Sequence, residues 1–158
     1  MLFRSDGTFL PASDAGLVLP GSSWSAAFGD WDRDGDLDLF VSRWGRIVPP
    51  GTSTGHLWRN RGDGTFEDAT LDAGLAPFAS PTGYDRLDFS FTGNFADVDD
   101  DGWPDLLVSA DYGGSRILRN QGDGTFSPVV ASGVPSDENG MGARSEEHTS
   151  ELQSHSDL

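Results

Sequence analysis

Two short stretches of the sequence carry carboxylates at a spacing that suits metal binding. Both have the form D-x-D-x-D-G-x-x-D; residues 30–38 read DWDRDGDLD and residues 97–105 read DVDDDGWPD. Carboxylates at loop positions 1, 3, 5 and 9 suit a hard cation that takes about six to eight oxygen ligands. The glycine at position 6 permits the sharp bend that such a loop needs. The spacing therefore predicts two calcium (Ca²⁺) sites.

The predicted ligands are the carboxylates of each loop, together with the backbone carbonyl at position 7. In the first loop they are Asp30, Asp32, Asp34, Asp36 and Asp38, and in the second they are Asp97, Asp99, Asp101, Trp103 and Asp105. The position-7 residues, Asp36 and Trp103, are expected to act through their backbone oxygens. The alternative is a pair of acidic turns that bind nothing. Mutual repulsion of so many aspartates, repeated at a second place, disfavours that alternative.

An EF-hand is the obvious rival, and the sequence disfavours it. An EF-hand loop needs a bidentate glutamate at position 12, where this chain has Val41 and Val108. Residues 37–41 and 106–108 are short runs rich in apolar residues, which are typical of buried strands and not of flanking helices. The closing aspartate of each loop is therefore expected at the start of a strand.

Composition excludes several classes of function. The chain has 158 residues, enough for one average domain, and a net charge of −16, which argues against nucleic acid as a partner. It has no cysteine, so disulfides and cysteine-based zinc sites are excluded. No apolar run approaches the length of a membrane span, so membrane insertion is not expected.

A hairpin motif is repeated on either side of the aspartate loops. Copies that end in D-G-T-F occupy residues 2–9, 57–66 and 118–126, and Asp-Gly between apolar arms is a strong hairpin signal. Small-residue turns follow the copies, at 14–17, 72–75 and, more loosely, 131–134. Repeat length varies around 45–55 and 77–88, which are expected to be loops on an exposed rim.

Each full repeat contains four candidate strands. They are predicted at 23–28, 37–42, 56–60 and 65–68 in the first unit, and at 88–96, 105–110, 116–120 and 125–130 in the second. A repeated four-stranded antiparallel unit is typical of a propeller blade. A β-solenoid is the alternative, but its repeats are shorter. An array generally needs about three units to bury its core, so a two-unit chain is expected to be marginally stable or prone to aggregate.

These motifs resemble FG-GAP/VCBS repeats. The resemblance rests on the two aspartate loops, on Phe28-Gly29 before the first loop, and on the R-N-x-G-D-G-T-F hairpins. It covers residues 2–143 and is especially close to the bacterial cartilage acidic protein-like group. The second unit departs from the pattern with Ala96 in place of Gly29 and with Pro104 at loop position 8.

The resemblance implies a seven-bladed propeller like the integrin α-subunit head, with calcium held in loops between neighbouring strands of a blade. The expected fold is all-β: about two four-stranded blades of a β-propeller that has seven blades when complete. The resemblance thus assigns residues 1–143 to a partial propeller, which begins in the middle of a blade.

Residues 144–158 break the repeat pattern abruptly. Their sequence, which begins RSEEHTSELQSH, resembles the translation of a common sequencing adapter. We expect an adapter-derived, disordered tail; a native polar terminus is the alternative. His148 and His155 lie in this tail and are therefore not considered as metal ligands.

Other candidate sites have simpler interpretations. Arg61-Gly62-Asp63 spells an adhesion tripeptide, but turn chemistry explains its last two residues. The tryptophans could form a sugar-stacking face, although such residues more often fill the space between blades; they are Trp24, Trp31, Trp44, Trp58 and Trp103. His56 has no partner motif and is interpreted as a strand residue. No nucleophile–base motif stands out, so the chain is not expected to be an enzyme.

The leading functional hypothesis is a calcium-stabilised propeller module that serves extracellular or cell-surface binding or adhesion. Its ligand would be a protein or a glycan that the sequence does not identify. One alternative is the non-catalytic scaffold part of a secreted polysaccharide-active enzyme. The other alternative is a purely structural spacer in a large surface protein.

Overall fold

The structure is a computed structural model that describes residues 2–3, 9–10, 13–17, 22–46, 56–75, 87–111 and 115–129. Within these ranges the regular structure is entirely β. The strands are β1 (Leu2–Phe3), β2 (Phe9–Leu10), β3 (Ser22–Gly29), β4 (Asp38–Arg46), β5 (Leu57–Asn60), β6 (Phe66–Asp68), β7 (Leu87–Ala96), β8 (Asp105–Ala110), β9 (Arg116–Asn120) and β10 (Phe126–Pro128). The described residues include no helix long and apolar enough to cross a membrane.

The strands form two four-stranded antiparallel units, as the sequence predicts. In the first unit β3, β4, β5 and β6 pair in succession, and in the second β7, β8, β9 and β10 do the same. β1 and β2, the arms of the first D-G-T-F hairpin, pair as a separate two-stranded sheet. The predicted all-β fold, part of a β-propeller, is confirmed. The variable segments at 47–55 and 77–86, the third small-residue turn at 131–134 and the tail at 144–158 lie outside the described residues.

The two units are joined by main-chain pairing, which the sequence did not predict. β4 runs four residues past its predicted end and pairs with the start of β7, at Trp44↔Phe89 and Gly45↔Asp88. The pairing of β4 with β5 ends earlier, at Phe40↔Leu57, so the far end of β4 would otherwise expose unpaired backbone groups. The result is one continuous eight-stranded sheet.

Apolar side chains from both units form one core between them. The cluster contains Trp31, Phe40, Leu57, Ala69, Ala73, Leu75, Leu106, Val108, Leu118 and Phe126. The rings of Trp31 and Phe126 lie 5.7 Å apart and link the first aspartate loop to the last strand of the second unit. A Cβ built on Gly29, at the end of β3, would lie 2.5 Å from the side chain of Phe95 in β7. The absence of a side chain at this glycine therefore allows β3 and β7 to approach closely.

The small-residue turns connect successive repeats. The N–H of Phe66 donates to the carbonyl of Ala15 at 2.8 Å, and the N–H of Phe126 donates to Ala73 at 2.9 Å. Each turn therefore holds the first residue of the closing strand in the following unit. The next residue, Gly16 or Gly74, has a φ of 76° or 74°, a conformation that favours glycine.

Candidate metal centre

The two aspartate loops occupy equivalent places and share one backbone shape. The first connects β3 to β4 and the second connects β7 to β8. Position 4, Arg33 or Asp100, has a φ of 58° in both loops. Position 6 has a φ of 95° at Gly35 and 88° at Gly102. The predicted bend at the glycine is confirmed, and the left-handed residue at position 4 is an additional feature.

Each loop brings three of its predicted ligands together. In the first loop, Asp30, Asp32 and Asp38 each offer an oxygen that lies within 4.8 Å of the other two. In the second loop, Asp97, Asp99 and Asp105 form the matching group. These are positions 1, 3 and 9 of the motif, so residues far apart in the loop converge on one point.

The position-5 carboxylates shape the loop and lie outside these groups. Asp34 Oδ1 accepts the N–H of Asp36 at 2.9 Å, and Asp101 Oδ1 accepts the N–H of Trp103 at the same distance. Each bond fixes the backbone two residues further on, as in an Asx turn. Coordination by positions 5 and 7 remains a prediction.

The position-7 side chains lie against the D-G-T-F hairpin of their own unit. A Cβ added to Gly62 would lie 2.6 Å from Asp36 Oδ2, and one added to Gly122 would lie 2.9 Å from Trp103 Nε1. Both glycines also have a φ of 71°. The first glycine of each hairpin is therefore required by turn geometry and by the metal loop beside it.

The position-9 carboxylate is the buried anchor of each loop. Asp38 is fully buried; its Oδ2 accepts the N–H of Trp31 at 3.2 Å and its Oδ1 accepts the N–H of Asn60 at 2.8 Å. Burial raises the pKa of Asp38 to about 7, although these N–H groups favour the charged form. An anionic Asp38 therefore needs positive charge nearby.

The second loop repeats this anchor. Asp105 is also fully buried and accepts the N–H groups of Val98 at 3.0 Å and Asn120 at 2.8 Å. Burial raises the pKa of Asp105 as well. In both units, therefore, the start of the second strand holds an aspartate that is costly to ionise without a counter-charge.

An Arg-Asn pair in each hairpin supports the metal loop, a role that the sequence analysis missed. Arg59 Nε donates to Asp32 Oδ2 at 2.8 Å, and Arg119 pairs with Asp99 and, at 3.3 Å, with Asp101 Oδ2. The adjacent asparagine supplies the N–H that binds the position-9 aspartate. The available signal was the recurrence of R-N before both internal G-D-G-T-F turns.

The donor set of the first loop fits a hard cation. Asp30 Oδ1 and Asp32 Oδ1 are buried, and neither has a hydrogen-bond partner within the described part of the chain. A buried carboxylate oxygen without a partner is costly, and a cation with oxygen ligands would satisfy both atoms. The grouped donors in both loops are all carboxylate oxygens, which suit Ca²⁺ better than softer metals.

Four of the five tryptophans fall into two sets, and the fifth, Trp103, lies beside Gly122 in the hairpin of the second unit. Trp31 and Trp58 are buried, as expected for residues that fill the interior. Trp24 is 59% exposed and lies 6.0 Å from the ring of Trp44 and 5.5 Å from that of Phe91. By strand register this aromatic cluster lies at the far end of the β3–β4 hairpin from the metal loop.

The remaining candidates behave as structural residues. His56 is buried immediately before β5, with Nε2 2.7 Å from Asp88 Oδ2, so it contributes to the joint between the units. In the Arg61-Gly62-Asp63 turn, Arg61 pairs with Glu67. Asp63 accepts the backbone N–H of Thr65 at 2.9 Å, as expected of a turn residue.

Comparison with known families identifies a match over both aspartate loops. The sequence model of the FG-GAP-like repeat family matches residues 1–41 and 97–145, which together exceed half of the chain and include both aspartate loops. No curated protein matches the sequence, and no solved structure does so. The matched residues contain both aspartate loops and two of the three D-G-T-F hairpins, at 2–9 and 118–126, and the chain belongs to the family of FG-GAP-like repeat proteins.

Proposed function

We propose that this chain is a calcium-binding propeller module that serves non-enzymatic binding or adhesion outside the cell or at its surface. The observation that carries the calcium assignment is the convergence of three carboxylates in each of two loops. The buried, unpartnered oxygens of Asp30 and Asp32 support it. Calcium is abundant outside cells, so weak sites of this kind would be filled there.

In this proposal the carboxylates of positions 1, 3 and 9 would hold the ion in each loop. A bound calcium ion would add to the positive charge that an arginine already places beside the position-3 carboxylate of each loop. The chain provides the frame: Gly35 N–H holds Asp30 Oδ2 at 3.1 Å, and Gly102 N–H holds Asp97 Oδ2 at 2.8 Å. Since the buried position-9 aspartate also anchors the hairpin asparagine, a filled loop would stiffen the whole unit.

Calcium titration by calorimetry, with thermal melting alongside, tests the proposal on the full chain. We expect saturable heat from two sites and a higher melting temperature, because calcium at 100 times Kd adds about 2.7 kcal/mol per independent site. Asp32→Asn and Asp99→Asn should each remove one site. Asp72→Asn, an exposed turn residue outside both loops, is the matched control. Absence of heat up to millimolar calcium would contradict the assignment.

The binding or adhesion role is supported by the exposed ring of Trp24 and the half-buried aromatic rings that surround it. Exposed aromatic rings whose geometry is fixed by neighbours are suited to stack on a sugar or on an apolar side chain. The ring of Trp44 is held by Phe89 at 4.9 Å and by Phe91 at 4.8 Å. The ligand is therefore proposed to be a protein or a glycan that contacts this end of the sheet.

A glycan and protein array probed with the calcium-loaded chain tests this role. Trp24→Ala should abolish any specific signal while leaving calcium binding intact. Leu71→Ala removes an exposed apolar side chain from a turn, and it should leave the signal unchanged. Binding that survives Trp24→Ala would place the ligand elsewhere, and no binding to either class would favour a structural spacer.

A further inference from the structure

Asn120 connects the two metal loops through its side-chain amide. It lies at the end of β9 and is 1% exposed. Its Nδ2 donates to the carbonyl of Trp31 at 2.7 Å and to the carbonyl of Pro104 at 3.0 Å. Trp31 is position 2 of the first loop and Pro104 is position 8 of the second, so one amide group bridges both loops.

The rest of Asn120 is fixed by the second unit. Its backbone N–H donates to Asp105 Oδ1 at 2.8 Å, and its Oδ1 accepts the N–H of Gly122 at 3.0 Å. On the other side of the bridge, the N–H of Trp31 donates to Asp38 Oδ2. A continuous chain of hydrogen bonds therefore runs from Asp105, through Asn120 and Trp31, to Asp38. Both ends are predicted ligands.

A second contact joins the same loops. The guanidinium of Arg33 lies 5.3 Å from the centre of the Trp103 ring, at a distance typical of a cation–π contact. Arg33 is position 4 of the first loop and Trp103 is position 7 of the second. The loops thus contact one another directly as well as through Asn120.

Asn60 is the natural control for Asn120. It makes the equivalent bonds inside its own unit: to Asp38 Oδ1 at 2.8 Å, to the carbonyl of Leu37 at 3.0 Å and from the N–H of Gly62 at 3.0 Å. Over the stretches that the structure describes, it has no hydrogen bond to a second aspartate loop. The two asparagines therefore differ in one respect: Asn120 donates a hydrogen bond to the other unit's loop, at the carbonyl of Trp31, and Asn60 makes no such bond among the described residues.

We propose that the two loops bind metal cooperatively and that Asn120 is the positioning residue that couples them. The inference rests on the proposed calcium function. A metal ion in the second loop would immobilise Asp105 and hence Asn120, which in turn fixes Trp31 and Asp38. The entropy lost in ordering this row of hydrogen bonds is lost only once, when the first ion binds. A metal ion in either loop therefore raises the affinity of the other loop, and the effect must be equal in both directions.

The experiment is calorimetric calcium titration of the full chain and of variants that keep one site. Asp99→Asn isolates the first loop and Asp32→Asn isolates the second. Coupling of typical size makes each isolated site about fivefold or more weaker than in the native chain. Asn120→Ala should reduce this difference toward zero, while Asn60→Ala should weaken the first loop and leave the coupling in place. If Asn120→Ala does not fold, the native chain compared with the two one-site variants still measures the coupling.

The outcomes separate the two proposals. Two sites whose affinities do not depend on one another would overturn the coupling and leave the calcium function intact. Equal loss of coupling in the Asn60 and Asn120 variants would overturn the assignment to Asn120. No calcium heat in any variant would overturn the proposed function itself, and the coupling with it.

Discussion

The two aspartate loops share one sequence pattern and one backbone shape, yet they differ sharply in their surroundings. Trp31, at position 2 of the first loop, is 1% exposed, whereas Val98, at the same position of the second, is 44% exposed. Asp30 and Asp32 are half-buried, whereas Asp97 and Asp99 are exposed. The spacing of the aspartates therefore determines the shape of a loop but not its environment.

The neighbouring unit causes the difference. Phe126 and Asn120 of the second unit cover Trp31, and Trp103 lies beside Arg33. Val98 has no such cover among the described residues, since no unit in that part of the chain follows the second. In this chain the second unit thus completes the first, and the two loops are expected to differ in calcium affinity because only the first is covered in this way among the described residues.

The largest expected effect on stability comes from truncating the residue at position 2, whose burial differs most between the two loops. Trp31→Ala should lower the free energy of unfolding by about 3–5 kcal/mol, because it leaves a cavity in the core between the units. Val98→Ala, the matched change in the second loop, should stay within about 0.5 kcal/mol, as for most exposed positions. Urea denaturation of both variants measures the difference. Equal losses would mean that the second unit does not cover the first loop in solution.

The next largest effect is expected from weakening the contact between His56 and Asp88, which joins the two units at the end of the sheet away from the aspartate loops. His56 Nδ1 donates to the carbonyl of Val41 at 2.7 Å, and His56 Nε2 lies 2.7 Å from Asp88 Oδ2, so two buried side chains form a pair that joins the two units. Removing one member of such a buried pair costs about 3 kcal/mol or more. Asp88→Ala should therefore destabilise the chain and speed amide exchange in the first loop.

Asp72→Ala, at an exposed turn, is the control for the joint. It should change neither the free energy of unfolding nor amide exchange in the first loop appreciably. If Asp88→Ala destabilises the chain and leaves first-loop exchange unchanged, the cover over that loop does not depend on this joint.

Much of this arrangement was predictable from local sequence. The strand order and the bends at Gly35 and Gly102 follow from spacing and turn residues, which act over a few positions. The pairing of β4 with β7 and the bond between Asn120 and Trp31 were not predictable in this way. They join residues far apart in the chain, 89 positions in the second case, and they depend on how the units pack. For the same reason, the shared D-x-D-x-D-G-x-x-D pattern could not show that the first loop is buried more deeply than the second, since burial depends on the neighbouring unit.

A pH effect of intermediate size should distinguish the bound and free forms of the first loop. The folded-state pKa of Asp38 is about 7, above the ordinary value of 3.8. Without calcium, its contribution to stability is therefore fully present below about pH 4 and is lost as pH rises through about 7. Calcium needs the ionised carboxylate, so its affinity for the first loop should rise about thirtyfold between pH 5.5 and 8.

Titration of the Asp99→Asn variant at several pH values isolates this effect in the first loop. Unfolding of the calcium-free Asp38→Asn variant is the control, since it should lose the part of the pH dependence that Asp38 causes. The second loop should show the same sign, because burial also raises the pKa of Asp105. An affinity that is flat across this range would mean that Asp38 is ionised in the free loop.

The smallest effect concerns the arginines that accompany each loop. Arg59 pairs with Asp32 and its guanidinium also lies 5.0 Å from the centre of the Trp31 ring, a contact available only where position 2 is aromatic. Arg119 pairs with Asp99 beside the aliphatic Val98. Arg59→Gln should therefore cost about 1 kcal/mol in stability, and Arg119→Gln about half of that or less.

Both arginine substitutions remove one positive charge from an acidic loop, so both should raise calcium affinity at that loop. Chemical denaturation without calcium measures the stability difference, and calorimetry measures the change in affinity. If the two variants lose equal stability, the Trp31 contact contributes nothing and the arginines act through charge alone. If only Arg59→Gln is destabilised while both variants gain calcium affinity, the contact between Arg59 and the buried Trp31 ring contributes to stability in addition to the charge of Arg59.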